Sequence, residues 1–275
     1  MAKDSRIEWT HHTFNPWWGC VKVSPACAHC YAETWAHRLG MDLWGRALPR
    51  RSFGEDYWRQ PLKWNREAQL RGDRRRVFCA SMADVFERRA DLNAWRDKLW
   101  PLIEQTPHLD WLLLTKRPHN VSHMVPWTDI WPANVWLGTT AENQKHANSR
   151  IPALLAAKAA VHFISAEPLL GPLSLTPWHG IDWVIAGGES GRGARPIDPE
   201  WVRALRDECK ATGIAFHFKQ WGHWAPSLPD GRSARQLNQL QMLNQRSSVL
   251  YGVGKTAAGR VLDGRTWDEM PRRSL

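Results

Sequence analysis

Three cysteines, Cys20, Cys27 and Cys30, fall within eleven residues in a C-x6-C-x2-C spacing. Thiolates two residues apart can converge on one soft metal centre, and the turn formers Pro16, Gly19 and Pro25 can fold the loop back to bring in the third sulfur. Three protein sulfurs leave one coordination position open, which suits a catalytic centre. A structural zinc site would need a fourth ligand, which His11, His12, His29 or His37 could supply. An unliganded trio of neighbouring thiols would invite oxidation. The other two cysteines sit in apolar patterns, Val77-Phe78-Cys79-Ala80 and a helical stretch around Cys209, and read as small buried hydrophobes. Five cysteines are an odd number, so a disulfide framework is not expected.

A loop of this kind needs a scaffold, and the chain supplies a repeating one. Short, nearly continuous apolar runs occur at 76–81, 110–115, 134–139, 160–165, 181–186 and 214–219, and a seventh opens the chain at 7–10. Helical patterns separate them, at 92–105 and at 198–212, the latter with Pro199 in its first turn and Gly213 at its C-cap. Strands buried on both faces and joined by long crossovers are those of a parallel sheet. The expected fold is therefore α/β, a complete or partial (β/α) barrel of six to seven parallel strands. Residues 1–222 form its body, with the cysteine loop at 11–31, a basic insertion at 46–76 and an irregular extension at 223–275.

The rim of such a barrel is built from the C-terminal strand ends. Ser81 and Asp84, Thr115 and Arg117, Thr139 with Glu142 and Asn143, Ser165 with Glu167, Glu189 and Ser190 after Gly187-Gly188, and Lys219 with Gln220 all fall there. Paired glycines let backbone approach a ligand closely, and the carboxylate of Glu189 could hold an ammonium or a ribose hydroxyl. Arg117 and Lys219 could neutralise a carboxylate or phosphate. Glu142 and Glu167 are candidate ribose or substrate contacts, or acid/base groups. Each of these residues could equally cap a helix.

Composition narrows the class. The 275 residues are 43% hydrophobic and 23% charged, which excludes a disordered or fibrous chain. No apolar run is long enough for a spanning helix and no signal peptide is legible, so a cytoplasmic protein is expected. The net charge of +10 favours anionic partners, and the insertion at 46–76 concentrates ten Lys or Arg against four Asp or Glu. That insertion also carries Tyr57, Trp58 and Trp64, and the chain as a whole has 19 tryptophans, which serve either as core filler or as platforms for bases. Gly254-Lys255-Thr256 lacks the leading glycine and preceding strand of a phosphate loop.

The cysteine loop after a first strand, with Tyr31 beside its last cysteine, resembles the radical S-adenosylmethionine enzymes, whose usual spacing is C-x3-C-x2-C. The C-x2-C half matches, and the first gap here is six. More narrowly, Thr13-Phe14-Asn15-Pro16, Cys30-Tyr31-Ala32-Glu33, Leu114-Thr115-Lys116-Arg117-Pro118, Leu137-Gly138-Thr139-Thr140-Ala141-Glu142-Asn143, Ser165-Ala166-Glu167-Pro168, Gly187-Gly188-Glu189-Ser190-Gly191 and Phe218-Lys219-Gln220-Trp221-Gly222 resemble the phage-associated three-Cys-motif proteins. The resemblance implies a [4Fe-4S] cluster on Cys20, Cys27 and Cys30, S-adenosylmethionine at the barrel mouth, and an electron donor of flavodoxin or ferredoxin type. Asn15 and Tyr31 join the cofactor-binding set on the same ground. In radical S-adenosylmethionine enzymes a Gly-Gly-Glu element follows the second strand; here it follows the sixth run, and Ser81 and Asp84 take the second-strand place. With the basic charge, a nucleotide or nucleic-acid substrate is expected. Two other readings stand beside this one: a zinc-stabilised nucleic-acid-binding protein without catalysis, and a barrel hydrolase using Glu142, Glu167 or Glu189.

Overall fold

A computed structural model describes residues 2–228, 240–242 and 249–271. Eight strands form the main sheet in chain order: β1 (Ala2–Lys3), β2 (His12–Thr13), β3 (Arg75–Cys79), β4 (Leu109–Thr115), β5 (Val135–Thr140), β6 (Val161–Ala166), β7 (Trp183–Gly187) and β8 (Ala215–Gln220). The short β1 runs antiparallel to β2, and β2 to β8 make the seven-strand parallel succession of a (β/α) half-barrel. All six apolar runs from residue 76 onward are strands, because each places side chains on two buried faces. In β4, Trp111, Leu112 and Leu113 are wholly buried.

The opening strand lies elsewhere than expected. Residues 7–10 form a turn, in which the Thr10 amide donates to the Ile7 carbonyl, and Trp9 packs from it onto Phe78 with ring centroids 4.6 Å apart. The strand is His12–Thr13, paired with Val77 and Phe78 of β3.

The helices are α1 (Tyr31–Arg38), α2 (Glu55–Trp58), α3 (Gln60–Arg71), α4 (Asn93–Glu104), α5 (Val121–Met124), α6 (Gln144–Leu155), α7 (Pro199–Thr212) and α8 (Lys255–Ala258). The α7 boundaries follow from its caps. The Asp198 carboxylate accepts from the Glu200 amide, Pro199 fills the first turn, and Gly213 ends the helix at φ +74°. A second sheet comprises β9 (Trp224–Ala225), β10 (Leu240–Met242) and β11 (Val249–Gly252), in the order β10-β11-β9. Much of the Gln/Asn-rich stretch after residue 228 lies outside the described residues.

The chain divides into two compact units. The first is Met1–Ser24, Ala32–Thr139 and Ser149–Phe163; the second is Pro25–Tyr31, Thr140–Asn148 and Ile164–Leu275. In the first, Phe14 meets Trp58 and Trp111 edge-on at 5.3 and 5.6 Å. There the Arg96 guanidinium of α4 is buried over Trp17 and donates to the carbonyls of Val85 and Glu87. In the second, Trp267 is buried under α7, with Arg206 and Lys210 over its ring. Ten of the 19 tryptophans are buried, Trp58 and Trp64 of the basic insertion among them, so just over half serve as core filler. Tyr57 is half-buried, stacks on Phe53 at 4.3 Å and donates to the Asn15 carbonyl.

Candidate functional site

In the first unit, the segment carrying Cys20 is held by three isolated bridges, Trp18 to Arg51, Gly19 to Ala83 and Cys20 to Trp44. Gly19 is required there. It sits at φ +111°, and a Cβ would lie 2.6 Å from the Leu43 carbonyl oxygen and 2.8 Å from the Arg50 side chain. Arg50 is itself buried, pairing with Glu87 at 2.6 Å and donating to the carbonyls of Leu43, Gly45 and Leu48. Sequence reading missed this pair. A buried arginine satisfied largely by loop carbonyls leaves no pattern in the sequence.

The Cys20 thiol faces a cation. Arg117 Nη1 lies 3.7 Å from its Sγ and 2.7 Å from Asp84 Oδ2, while Nη2 donates to the Val21 carbonyl at 2.8 Å. Asp84 is the hub of this arrangement. Its carboxylate accepts from Thr115 Oγ1 at 2.7 Å, from the Lys116 amide at 3.1 Å and from the Phe86 amide at 3.0 Å. Thr139 Oγ1 donates to the Thr115 carbonyl, which ties β5 to β4 at the same level. Burial pushes the Cys20 thiol up to about 12, with the Asp84 charge adding to the rise and Arg117 opposing it. Asn15 meets Ser81 beside this group, donating to its hydroxyl at 3.1 Å while its own carbonyl oxygen accepts from the Met82 amide at 2.7 Å. Strands β2 to β5 thus bring together Asn15, Cys20, Ser81, Asp84, Thr115, Arg117 and Thr139, all expected from sequence.

In the second unit, Cys27 ends a single 3-10 turn, Pro25–Cys27, and Cys30 precedes Tyr31, which opens α1 with an exposed ring. The loop 189–195 clamps this segment. Glu189 takes Arg195 in a fork, with Oε1 to Nη2 at 2.6 Å and Oε2 to Nε at 3.0 Å, and Oε2 also accepts from the Arg195 amide at 2.8 Å. The same guanidinium donates to the Pro25 carbonyl at 2.9 Å, and His29 Nδ1 lies 3.4 Å from the Arg192 carbonyl. Burial pushes the Glu189 carboxyl up, but the Arg195 bonds overcome it and hold the group below the ordinary range. Arg195 is a further residue that the sequence reading missed.

The glycine pair works differently from the expectation of a close ligand approach. A Cβ on Gly188 would lie 1.9 Å from the Trp221 carbonyl oxygen, and Gly222, at φ +85°, would crowd the Glu189 carbonyl in return. The chain itself occupies the space that Gly188 leaves, and the Glu189 carboxylate is taken by Arg195. Gly187 has ordinary room, its nearest neighbour being the Glu167 carboxyl at 3.4 Å. Ser190 follows on the same loop, half-buried.

Glu167 and Lys219, from β6 and β8, form an ion pair at 2.7 Å, each about one-sixth exposed. Glu142 is fully buried, with Oε1 3.5 Å from His146 Nδ1, and the Asn143 side-chain oxygen accepts from the His146 amide. The Ser165 carbonyl accepts from the Ala141 amide. Among the described residues, no three His, Cys, Asp or Glu side chains stand close enough together to hold a metal ion. All five cysteines are thiols. None of the helices, among the described residues, is long and apolar enough to cross a membrane.

Fold and residues together define an α/β half-barrel protein whose strand ends carry hydrogen-bonded acidic and basic groups and whose first long loop carries three thiols. The chain belongs to the family described as "Protein of unknown function (DUF5131)", whose profile matches residues 4–271. No curated protein matches it. Among solved structures it is similar to a spore photoproduct lyase variant with bound AdoMet and dinucleoside spore photoproduct, at TM-score 0.46 and 13% identity over 89% of this chain and 68% of that one. Spore photoproduct lyase complexed with dinucleoside spore photoproduct is similar at TM-score 0.47 and 12% identity, over 91% and 70%.

Proposed function

We propose that this protein is an iron-sulfur enzyme of the radical S-adenosylmethionine type, with Cys20, Cys27 and Cys30 as ligands of a [4Fe-4S] cluster. The observation that carries the reading is the Arg117 guanidinium held against the Cys20 thiol by Asp84 and the Val21 carbonyl. A buried neutral cysteine gains little from such a neighbour. A metal-bound thiolate gains a balancing charge and a hydrogen-bond donor to sulfur, the second layer of groups that tunes such centres. The donor set fits by type and by chain reach, since three soft sulfurs lie on one eleven-residue segment.

Zinc completed by a histidine is the weaker reading, because the candidate imidazoles already have partners, His37 Nε2 lying 3.6 Å from Asp42 Oδ1. His11 Nδ1 accepts from the Arg76 amide, His12 is stacked on Trp64, and His29 faces the Arg192 carbonyl. When bound, the cluster supplies the electron that cleaves S-adenosylmethionine. Around it, this chain's residues act as holders: Arg117 balances thiolate charge, Arg195 fixes the segment before Cys27, and Glu167 holds the Lys219 ammonium, which can offer its remaining N–H donors to a carboxylate or phosphate. The proposed substrate is a nucleotide or nucleic acid, with reduction by a flavodoxin or ferredoxin.

The test is anaerobic purification, reconstitution with iron and sulfide, and absorption and EPR spectra of the reduced protein with and without S-adenosylmethionine, beside Cys27→Ala. A cluster signal that S-adenosylmethionine alters and Cys27→Ala abolishes supports the reading. Stoichiometric tetrahedral zinc with no cluster overturns it.

A further inference from the structure

The basic insertion leaves one surface unexplained. Between the α2 and α3 segments, Arg59 keeps right-handed helical geometry at φ −77° and ψ −13°, so residues 55–71 present nearly continuous helical faces. Trp58, Pro61, Trp64 and Ala68 form the buried side. At 100° per residue, the direction opposite their mean is occupied by Arg59, Lys63, Arg66 and Leu70. All four are exposed. The three cations are spaced by about 6 Å and about 4.5 Å along the axis.

Little nearby charge neutralises this row. Glu55 pairs with Lys98, Glu67 with Lys3 and Asp73 with Arg75. Arg59 has only a 3.7 Å contact to the 99%-exposed Asp56, a pair that water competes away. Among the described residues, Lys63 and Arg66 form no ion pair. A row about 10 Å long can meet two or more phosphates of one nucleic-acid strand, whose charges recur about every 3.4 Å of helix axis. The insertion's aromatics cannot stack on bases from where they are, because Trp58 and Trp64 are buried and Tyr57 is stacked on Phe53.

We infer that the outward face of α3, through Arg59, Lys63 and Arg66, binds the phosphodiester backbone of nucleic acid. Recognition there is by charge on the phosphates, which carries no sequence information directly. This inference stands apart from the cluster chemistry, because binding is read on the protein without turnover.

The experiment is fluorescence anisotropy of a short labelled DNA duplex between about 50 and 200 mM salt, with the wild type and the pair Lys63→Gln/Arg66→Gln. Loss of two phosphate contacts makes the slope of log K against log salt shallower by about 1.8 and weakens binding about 60-fold at 0.1 M. Lys145→Gln/Lys158→Gln removes the same net charge from exposed lysines elsewhere and keeps the wild-type slope. Equal losses in the two double variants overturn the inference, as does binding to phosphatidylserine vesicles with no binding to the duplex. Both substituted side chains of the test pair are exposed, so unfolding does not confound the readout.

Discussion

Replacing Gly188 with alanine sets a new Cβ 1.9 Å from the Trp221 carbonyl oxygen and 2.7 Å from its carbonyl carbon, with Ile197 at 3.0 Å. Two of the three obstacles are backbone, so no side-chain rotation relieves the overlap, and either β7 or the segment after β8 must move. The Gly188 amide donates to the Gln220 carbonyl at 2.9 Å, and that bond resists the movement. A forced overlap of this kind costs about 3 kcal/mol, the upper end of the usual overpacking range. For a chain of this size that lowers the thermal midpoint by roughly 6–12 °C. Gly187→Ala is the internal control. Its Cβ would stand 3.4 Å from the Glu167 carboxyl carbon and 3.5 Å from the Gln220 carbonyl oxygen, both ordinary contacts. Alanine also narrows the unfolded ensemble, so Gly187→Ala should change stability by less than about 1 kcal/mol in either direction. Differential scanning calorimetry of the two variants decides the matter: equal midpoints would refute the argument that Gly188 is small to let the chain cross itself.

Three further outcomes are expected. Glu87→Ala strands the buried Arg50 guanidinium and should cost roughly 3–5 kcal/mol in urea unfolding, although the carbonyls of Leu43, Gly45 and Leu48 keep part of its hydrogen bonding. His11 and His12 are held down to about 4, chiefly by burial, so the unfolded chain binds more protons below about 6.5. Stability should therefore be complete above that pH and decline as the pH falls from about 6.5 through about 4; the urea midpoint of His12→Phe, which keeps the Trp64 stack, should decline less. Arg195→Ala frees both Glu189 and the Pro25 carbonyl, so it should lower iron retained after reconstitution while leaving duplex binding unchanged, as measured by iron assay and anisotropy.

The strands were legible because burial on both faces writes itself into composition. Runs such as Trp111-Leu112-Leu113 can be little else, and α7 carried both of its caps in plain view at Asp198, Pro199 and Gly213. The first strand failed for the converse reason. Its two residues, His12 and Thr13, are polar and are buried by partners remote in sequence, with Trp64 stacking on His12 at 4.4 Å. Ile7 and Trp9 alternate as a strand would, yet the turn that carries them is fixed by Thr10 Oγ1, which donates toward the carbonyls of His12 and Arg76. The bond to Arg76 joins segments 66 residues apart and leaves no local periodicity.

The candidate site divides along the same line. Residue types at strand ends were readable, but which of them are consumed by the fold was not. Asp84 and Glu189 look alike in sequence, each an acid at a strand end, and each proves to be held by one arginine, Arg117 and Arg195 respectively. What differs is the arginine's second contact. Arg117 turns its remaining donors to the Cys20 sulfur and the Val21 carbonyl, whereas Arg195 turns its own to the Pro25 carbonyl. In each unit an acid holds a guanidinium against the segment that carries a thiol. Removing either acid should then disturb the cysteine segment more than any binding pocket, and Glu189→Gln, which keeps the shape and removes the charge, should reproduce the iron loss of Arg195→Ala in weaker form.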